Sequence, residues 1–355
     1  MKRAKAVIGA NFGDEGKGLT VDYLCARGDA GVVVRFSGGA QAGHTVVTPE
    51  GDRHVFRTVG AGAFHGVPTF LSSFCSVNPI AIFMELKALH ALGVTPELYA
   101  SPQCLVTTFA DVIINRRIED QRGGDRHGSC GLGISETIER SRLPQLTITM
   151  ADLFNHAPLE AKLAEICGKY ASFRTGAPID EPAMTEAFLR ACARLPEVIS
   201  PAGIGQCKDP IFEGSQGLLL DQDNRAMFPH VTRSHTGLKN VLALCTQAGI
   251  DRIEPYYVTR TYLTRHGAGP LPGEDPALSY PDDTNGENAY QGRLRFAPLD
   301  VDAMWKRVSQ DALQNGVAAF QLVVTHRDQY DHPHLLGSPQ FWGPTRADVQ
   351  TDRRP

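Results

Sequence analysis

A glycine-rich segment near the start of the chain constrains the fold more than any other feature. Residues 13–18 read Gly-Asp-Glu-Gly-Lys-Gly; they follow an apolar stretch at 4–8 that predicts a strand and precede helical spacing at 19–26. Backbone N–H groups at such a helix start can bind an anion, and a lysine can balance phosphate charge. The segment therefore predicts a phosphate loop, although a tight turn with exposed charges shares the pattern.

This loop differs from a Walker A loop. Gly18 stands where Ser or Thr would bind magnesium in that motif. Asp14 and Glu15 would repel a phosphate unless one of them held a metal ion or acted as a base. The loop therefore predicts phosphate chemistry that also needs a carboxylate.

Strand-like and helix-like segments alternate along the rest of the chain. Strands are predicted at 31–36, 105–107, 210–212, 254–259 and 320–324, and helices at 79–92 and 182–195. We expect an α/β fold with one large domain over residues 1–344. It has a mixed, mostly parallel central sheet, helices on both faces and a P-loop-like phosphate loop. Residues 345–355 are expected to form a charged, frayed C-terminal tail.

Composition argues against several classes of protein. The net charge of −4 lacks the basic excess of a general nucleic-acid binder, so no nucleic-acid partner is expected. The chain has no run of about 18 apolar residues, so no membrane span is expected. Its eight cysteines include no CxxC pair. This usage disfavours a zinc site or a disulfide framework and fits a reducing cytoplasm.

A second glycine-rich loop lies at 37–45 and reads Ser-Gly-Gly-Ala-Gln-Ala-Gly-His-Thr. Small residues allow a ligand to approach the backbone closely. Within this loop, His44 could donate a proton and Gln41 could hydrogen-bond the edge of a base. A single histidine in a loop is more often only a polar residue. The second loop therefore indicates a functional site only when it is considered together with the first.

Together with four further stretches, these loops resemble the adenylosuccinate synthetase family. The stretches occur in the family's order and read HGSCGLG at 127–133, FEGSQG at 212–217, FPHVT at 228–232 and TRHGAGPLP at 264–272. The resemblance extends from the N-terminus to about Asp328. It implies a ligase that joins L-aspartate to carbon 6 of a 6-oxopurine nucleotide through a 6-phosphoryl intermediate, while a nucleoside triphosphate is cleaved to the diphosphate and phosphate.

The resemblance implies roles for the residues of both glycine loops. Asp14 matches the base that removes the purine N1 proton, and with the Gly43 carbonyl it matches a ligand of Mg²⁺. Lys17 matches the phosphate-loop lysine, and His44 matches the general acid. Phosphate contacts are implied for Gly13, Glu15, Gly16, Lys17, Gly18, Gly43, His44 and Thr45.

Contacts to the acceptor nucleotide are implied in the same way. They involve Asp14, Gln41, Ser129, Cys130, Arg140, Gln216 and Thr232. Gln216 matches a glutamine that reads the purine ring. Arg140 matches an arginine that reaches into the neighbouring subunit, with Arg142 as the other candidate. The family is a homodimer with a shared active site, so a homodimer is expected, with the helix after Gly133 at its interface.

Two motifs depart from the family's pattern. The family's aspartate-binding run, Thr-Thr-Gly-Arg, corresponds here to 290–295, which lacks both threonines. The retained candidates for aspartate binding are Gln291, Gly292, Arg293 and Arg295. The donor-base motif, Thr-Lys-x-Asp, corresponds to 325–328, where His326 replaces the lysine and Asp328 is kept. GTP is therefore less expected as the donor, and ATP or dATP is the alternative.

Two more features depart from the family: the chain is shorter than the common bacterial form, and Gln41 stands where an asparagine is usual. All these departures resemble the phage-type branch of the family. That branch uses dGMP and makes the succinylated precursor of 2-aminoadenine. We favour this interpretation, which implies the host cytoplasm, over a short adenylosuccinate synthetase that uses IMP and GTP. The retained Asp14 supports the latter. A non-catalytic nucleotide-binding regulator is the alternative of another class, and it would not require His44 or Gln216.

Overall fold

A computed structural model describes residues 2–28, 30–154, 156–170, 180–193, 195, 197–287, 289–337 and 339–351. Its eight α-helices are α1 (Lys17–Ala26), α2 (Pro79–Ala91), α3 (Phe109–Arg122), α4 (Ile134–Arg140), α5 (His156–Lys169), α6 (Glu181–Cys192), α7 (Leu238–Ala248) and α8 (Val301–Gln314). Short 3₁₀ helices connect several of them. Among the described helices, none is long and apolar enough to cross a membrane.

The strands of the described residues are short, and most belong to one sheet. They are β1 (Arg3–Gly9), β2 (Val33–Arg35), β3 (His44–Val47), β4 (Arg53–Phe56), β5 (Thr69–Leu71), β6 (Ser76–Val77), β7 (Leu98–Ala100), β8 (Leu105–Val106), β9 (Glu197–Val198), β10 (Ile211–Gly217), β11 (Arg252–Arg260), β12 (Tyr262–Arg265), β13 (Arg295–Pro298), β14 (Gln321–Thr325), β15 (Gln340–Phe341) and β16 (Val349–Gln350).

Ten of these strands form the central sheet, in the order β16-β15-β14-β11-β1-β10-β2-β5-β7-β9. Within it, only β15 and β16 pair antiparallel. The prediction of a mixed, mostly parallel sheet is therefore confirmed. The predicted strand at 105–107 is a strand, but it pairs with β6 in a separate two-stranded sheet.

The central sheet separates two apolar cores because successive side chains of a strand point to opposite faces. Val7 and Val33 pack on one face, with apolar side chains of α1, α2, α3, α5 and α6. Ile8 and Val34 pack on the other face, with side chains of α7 and α8. Helices therefore cover both faces, as the alternating pattern predicts.

The C-terminal segment differs from the expected frayed tail. Val349 pairs with Phe341 at the edge of the central sheet, and Thr345 forms an isolated bridge with Val47. The Arg346 guanidinium donates to Asp22 on α1 at 3.3 Å. The expectation of a frayed end is therefore wrong for residues 345–350, because backbone pairing and a buried carboxylate hold them.

Candidate active site

The phosphate loop joins β1 to α1 at the carboxyl edge of the parallel strands. Gly13 and Gly16 adopt positive φ angles of 102° and 88°, which favour glycine. A Cβ at Gly9 would lie 2.3 Å from Glu15 Oε2 and 2.5 Å from the Gln216 carbonyl oxygen, so this position also requires glycine. The glycines therefore let the loop fold tightly against the end of β10.

Asp14 and Lys17 are two of the three charged residues of this loop. Asp14 has a φ of 57° and keeps 27% of its side chain exposed, whereas Lys17 is buried. Burial opposes ionisation of Asp14, but His266, Arg260 and Lys17 together lower its pKa. Burial lowers the pKa of Lys17, and the neighbouring carboxylates oppose that shift. Asp14 is thus an ionised, accessible carboxylate at neutral pH.

The Glu15 side chain folds back onto its own loop. Its Oε1 accepts a hydrogen bond from the Asn11 backbone N–H at 2.7 Å, and its Oε2 is buried without a partner among the described residues. Burial raises its pKa to about 7, against the lowering effects of Lys17, Asn11 and Arg307. Glu15 therefore stabilises the loop through its bond to the Asn11 backbone. This geometry does not support the phosphate contact predicted for Glu15.

The second glycine loop brings His44 to the start of α1. A Cβ at Gly18 would lie 2.9 Å from the His44 Cβ, so only a glycine allows the two segments to touch. His44 is buried, and its Nδ1 lies 2.5 Å from Glu213 Oε1 on β10. Burial lowers the pKa of His44, while Glu213 opposes the shift. The two glycine loops therefore contact each other in the structure.

Glu213 anchors this arrangement. Its Oε2 accepts from the Ala61 backbone N–H at 3.1 Å and lies 3.8 Å from Arg35 Nη1. Burial would raise its pKa, but the charges of His44 and Arg35 and the hydrogen bonds lower it. A carboxylate in a fully buried strand requires such partners, and this is the signal by which the sequence could have identified Glu213 as a site residue.

Two glutamines lie beside these loops. Gln216, with a φ of 63°, packs against Gly13, and the Gln41 amide nitrogen is directed at Gly38. The Oε1 atoms of both glutamines are buried and have no hydrogen-bond partner among the described residues. The hydroxyl of Thr45 is likewise buried without a hydrogen-bond partner among the described residues. Buried polar atoms without partners at one edge of the sheet are typical of a site that binds a polar ligand.

The predicted acceptor loop at 127–133 reaches the site through the segment after β12. A Cβ at Gly128 would lie 3.0 Å from the Ala268 nitrogen, which shows how closely the two segments pack. Ser129 donates to Asn115 at 2.8 Å, and burial raises the pKa of the Cys130 thiol to about 11. Thr232 is half-buried and donates its backbone N–H to Leu220.

Arg140 does not face the site. Its side chain is fully buried and pairs with Asp111 at 2.9 Å. The guanidinium also donates to the backbone carbonyls of Val106 and Leu146. This geometry does not support the prediction that Arg140 contacts the acceptor or reaches a neighbouring subunit, because the side chain is buried and its guanidinium bonds to Asp111 and to two backbone carbonyls. Arg142 pairs with Glu139 and has 65% of its side chain exposed, so it keeps that prediction open.

The predicted aspartate loop packs against the segment 266–269. Gln291 accepts from the Gly267 N–H through its carbonyl, and Gly292 has a φ of 69°. Arg295 donates to the carbonyls of Gly267 and Gly269 at 2.7 and 2.8 Å and pairs with Glu274 at 2.6 Å. Arg293 is exposed. Arg295 thus holds the loop together here, which differs from the predicted contact to aspartate, while Arg293 remains accessible.

The predicted donor-base motif follows β14 and adjoins the phosphate loop. Thr325 donates to the Glu15 carbonyl at 2.9 Å and contacts Gly16. His326 has a φ of 60°, and its ring meets Tyr262 edge-on at 6.1 Å. Burial and Arg260 lower the His326 pKa far below its usual range. Asp328 is exposed.

Two further residues near Asp14 were not predicted from the sequence. Arg260, at the end of β11, donates to the Asp14 carbonyl and to Asp282 Oδ2 at 2.8 Å. His266 lies with Nδ1 3.6 Å from Asp14 Oδ2. Arg260 is the last residue of β11 and His266 directly follows β12, so each stands where a buried strand ends, which is the signal that could have identified them.

Comparison with known proteins decides the family. The sequence profile of the family described as adenylosuccinate synthetase matches residues 6–297. The chain belongs to the adenylosuccinate synthetase family. A relative from Alkalilimnicola ehrlichii, named adenylosuccinate synthetase, is 33% identical over 290 residues, covering 77% of this chain and 65% of the relative. The relative from Bordetella petrii is 33% identical over 297 residues, with the same coverage. The chain therefore spans just under two thirds of the length of these relatives.

Two solved structures share the fold. Fully ligated adenylosuccinate synthetase from Plasmodium falciparum has a TM-score of 0.72 at 20% identity, covering 90% of this chain and 76% of that one. Cyanophage S-2L succinoaminodeoxyadenylate synthetase, bound to dGMP and to dATP as an energy donor, has a TM-score of 0.62 at 18% identity. That match covers 99% of this chain and 95% of the phage protein.

Proposed function

We propose that this protein is a C–N ligase that joins L-aspartate to carbon 6 of a 6-oxopurine nucleoside monophosphate and cleaves a nucleoside triphosphate to the diphosphate and phosphate. One observation carries the proposal: Asp14, Lys17 and the His44–Glu213 pair meet at the carboxyl edge of the sheet. Membership of the family supports the same reaction.

In the first step, Asp14 removes the proton from purine N1. The N1–H electron pair moves into the ring, and O6 attacks the γ-phosphorus while the bond to the β–γ bridging oxygen breaks. Lys17 balances the phosphate charge. His44 acts in its doubly protonated form, which Glu213 favours: Glu213 accepts from Nδ1–H, and Nε2–H donates to the leaving diphosphate. Such a transfer requires fixed positions above all, and the buried pairs supply them.

In the second step, the amine of L-aspartate attacks carbon 6. Phosphate leaves with O6, and the amine gives up a proton, so a carbon–nitrogen bond replaces the carbon–oxygen bond. Arg293 is the accessible cation of the aspartate loop and is assigned the substrate carboxylate. Arg295 would join it after exchanging its present contacts to Glu274 and to the backbone.

The residues present fit a magnesium ion. Mg²⁺ prefers oxygen ligands and is usually held by one or two carboxylates together with substrate phosphates. The Asp14 carboxylate is ionised and partly exposed, and Gly43 beside His44 is exposed with its carbonyl available. These two residues would hold the ion, which would neutralise charge on the nucleotide phosphates.

For the substrates, we propose dGMP as acceptor and ATP or dATP as donor, which gives N6-succino-2-amino-2′-deoxyadenylate. The fold match to the phage synthetase bound to dGMP and dATP extends over nearly the whole of both chains. At the donor-base motif, the lysine of the family is replaced by His326. Arg327, the next residue, is committed to Asp331 and to the backbone of Leu335, so its side chain does not substitute for that lysine.

The second candidate is an adenylosuccinate synthetase that uses IMP and GTP. Two observations favour it: the relatives matched by sequence carry that name, and Asp14 is retained. Under either candidate we propose a homodimer, with α4 at the interface and Arg142 as the residue that crosses to the partner.

A phosphate-release assay tests the proposal. It holds Mg²⁺ and L-aspartate fixed and combines three acceptors (IMP, GMP and dGMP) with three donors (ATP, dATP and GTP). Turnover with dGMP and ATP or dATP is expected, and it should disappear when L-aspartate is omitted. Turnover only with IMP and GTP would establish the second candidate. If no pair gives aspartate-dependent phosphate, the ligase reaction is refuted and a nucleotide-binding regulator becomes the better interpretation.

A further inference from the structure

His266 lies in the candidate active site but has no part in the reaction described above. Its Nδ1 is 3.6 Å from Asp14 Oδ2, and only 14% of its side chain is exposed. Its Nε2 is buried and has no hydrogen-bond partner among the described residues. Because buried polar atoms in folded proteins almost always have partners, this atom points to a missing ligand.

The neighbours of His266 indicate which edge of the acceptor purine it would face. On one side it adjoins Asp14, the base assigned to purine N1. On the other side, the next residues pack on the acceptor loop, since a Cβ at Gly128 would lie 3.0 Å from the Ala268 nitrogen. His266 therefore lies between Asp14, the group assigned to N1, and the loop assigned to the acceptor nucleotide.

The geometry of a purine indicates which of its atoms would lie next to His266. From N1 toward the sugar, the next ring atom is C2, which carries an amino group in guanine and only hydrogen in hypoxanthine. We propose that His266 determines acceptor specificity by accepting a hydrogen bond from this 2-amino group. The inference rests on the proposed function, and it names the acceptor class as 2-amino-6-oxopurine nucleotides.

The tautomer of His266 follows from its neighbour. A proton on Nδ1 directed at the Asp14 carboxylate leaves Nε2 as an acceptor. A guanine amino group satisfies that acceptor, whereas hypoxanthine leaves it buried and unpaired. A site that is built to bond a substrate N–H group discriminates strongly against the analogue that lacks it.

The test compares dGMP with dIMP, which differ only in the 2-amino group. Wild-type protein is expected to prefer dGMP by about 10- to 100-fold in kcat/KM. His266→Val should bring the ratio of the two kcat/KM values close to one, and His266→Gln, which keeps an acceptor oxygen, should restore part of it. The ratio matters because any effect on Asp14 lowers both values equally. His90→Gln, at an exposed position on α2, is the matched control.

Calorimetry without a donor nucleotide gives the dissociation constants of dGMP and dIMP. This measurement tests the inference even if the protein shows no turnover. A preference for dGMP that His266→Val abolishes supports the inference in either assay. Equal use and binding of both nucleotides by the wild type, or a preference that His266→Val leaves unchanged, would overturn it. Absence of aspartate-dependent phosphate release with every acceptor would instead refute the proposed ligase reaction, while the binding ratio would still decide the role of His266.

Discussion

The phosphate frame, made of residues 13–18 with His44 and Glu213, contrasts with the substrate loops at 266–295. In the frame, Lys17, His44 and Glu213 are buried, and His44 pairs with Glu213. In the loops, Arg293 is exposed, and Arg295 binds its own loop. Under the proposed function, the groups assigned to phosphoryl transfer are fixed by the fold, whereas the contacts assigned to the amino acid have to form on binding.

Arg260 joins the two regions. Its guanidinium donates both to the Asp14 carbonyl of the frame and to Asp282 of the loops. Two carboxyls, Glu15 of the frame and Asp282 of the loops, have pKa shifts of opposite sign. Burial raises the pKa of Glu15 in the frame to about 7, whereas in the loops Arg260 and hydrogen bonds from Asn285 overcome burial and lower the pKa of Asp282 to about 2. One carboxyl thus costs stability when ionised, and the other adds it.

The largest expected effect comes from Asp14→Asn. The substitution removes the base while keeping the size of the side chain, and asparagine tolerates the positive φ at this position. Aspartate-dependent phosphate release should fall by at least about 10³-fold, within the range of general-base contributions. The melting temperature should fall modestly, because ionised Asp14 interacts favourably with His266, Arg260 and Lys17. Activity near the wild-type level would remove Asp14 from the base role and weaken the idea of a pre-built frame.

The next effect comes from the His44–Glu213 pair. His44→Asn should lower kcat by at least about 10²-fold, and Glu213→Gln should lower it less, because the imidazole remains but loses the group that orients it. The double variant should be little worse than His44→Asn alone, since the two side chains act as one unit. Additive losses would show that Glu213 acts on something other than His44.

Much of this frame could be predicted from the sequence. The strand–loop–helix pattern at 4–26 and the HGSCGLG-type motifs are local, and the structure confirms the fold that they indicated. Glycines needed for close contact, such as Gly18 against His44, are visible as residue types before the contact is known.

Other features depend on contacts between distant segments. Arg140 and Arg142 differ by two positions on a helix end, and only packing decides that Arg140 is the buried partner of Asp111. The pairing of Arg260 with Asp282 and of His266 with Asp14 likewise requires the chain to fold back. The C-terminal residues read as a charged tail because a two-residue strand has no periodicity to recognise.

A third prediction concerns the stability of the frame. Because the folded pKa of Glu15 is raised from 4.5 to about 7, its contribution to stability is complete below pH 4.5 and is lost as the pH rises through 7. Glu15→Gln stays neutral and should therefore be more stable than wild type at pH 8, by up to about 3 kcal/mol. Urea unfolding at pH 5 and pH 8 measures this. An equal difference at both pH values would contradict the burial of an ionisable group.

The smallest effect, and the one that separates the two regions, comes from Asp282→Asn. The folded pKa of Asp282 is lowered from 3.8 to about 2, so its contribution is present above pH 3.8 and is lost as the pH falls through 2. The variant should be about 2 kcal/mol less stable than wild type at pH 7, and the difference should shrink below pH 4.

The same variant frees the loops from Arg260 but leaves the Arg260 contact to the Asp14 carbonyl in place. We therefore expect the KM for L-aspartate to rise more than kcat falls, with the KM for the nucleotides nearly constant. Asp275→Asn, which loses only a local contact to the Ala277 N–H, is a matched control in the same loop. A fall in kcat with unchanged KM for aspartate would mean that Asp282 supports the frame through Arg260, and that the two regions act as one.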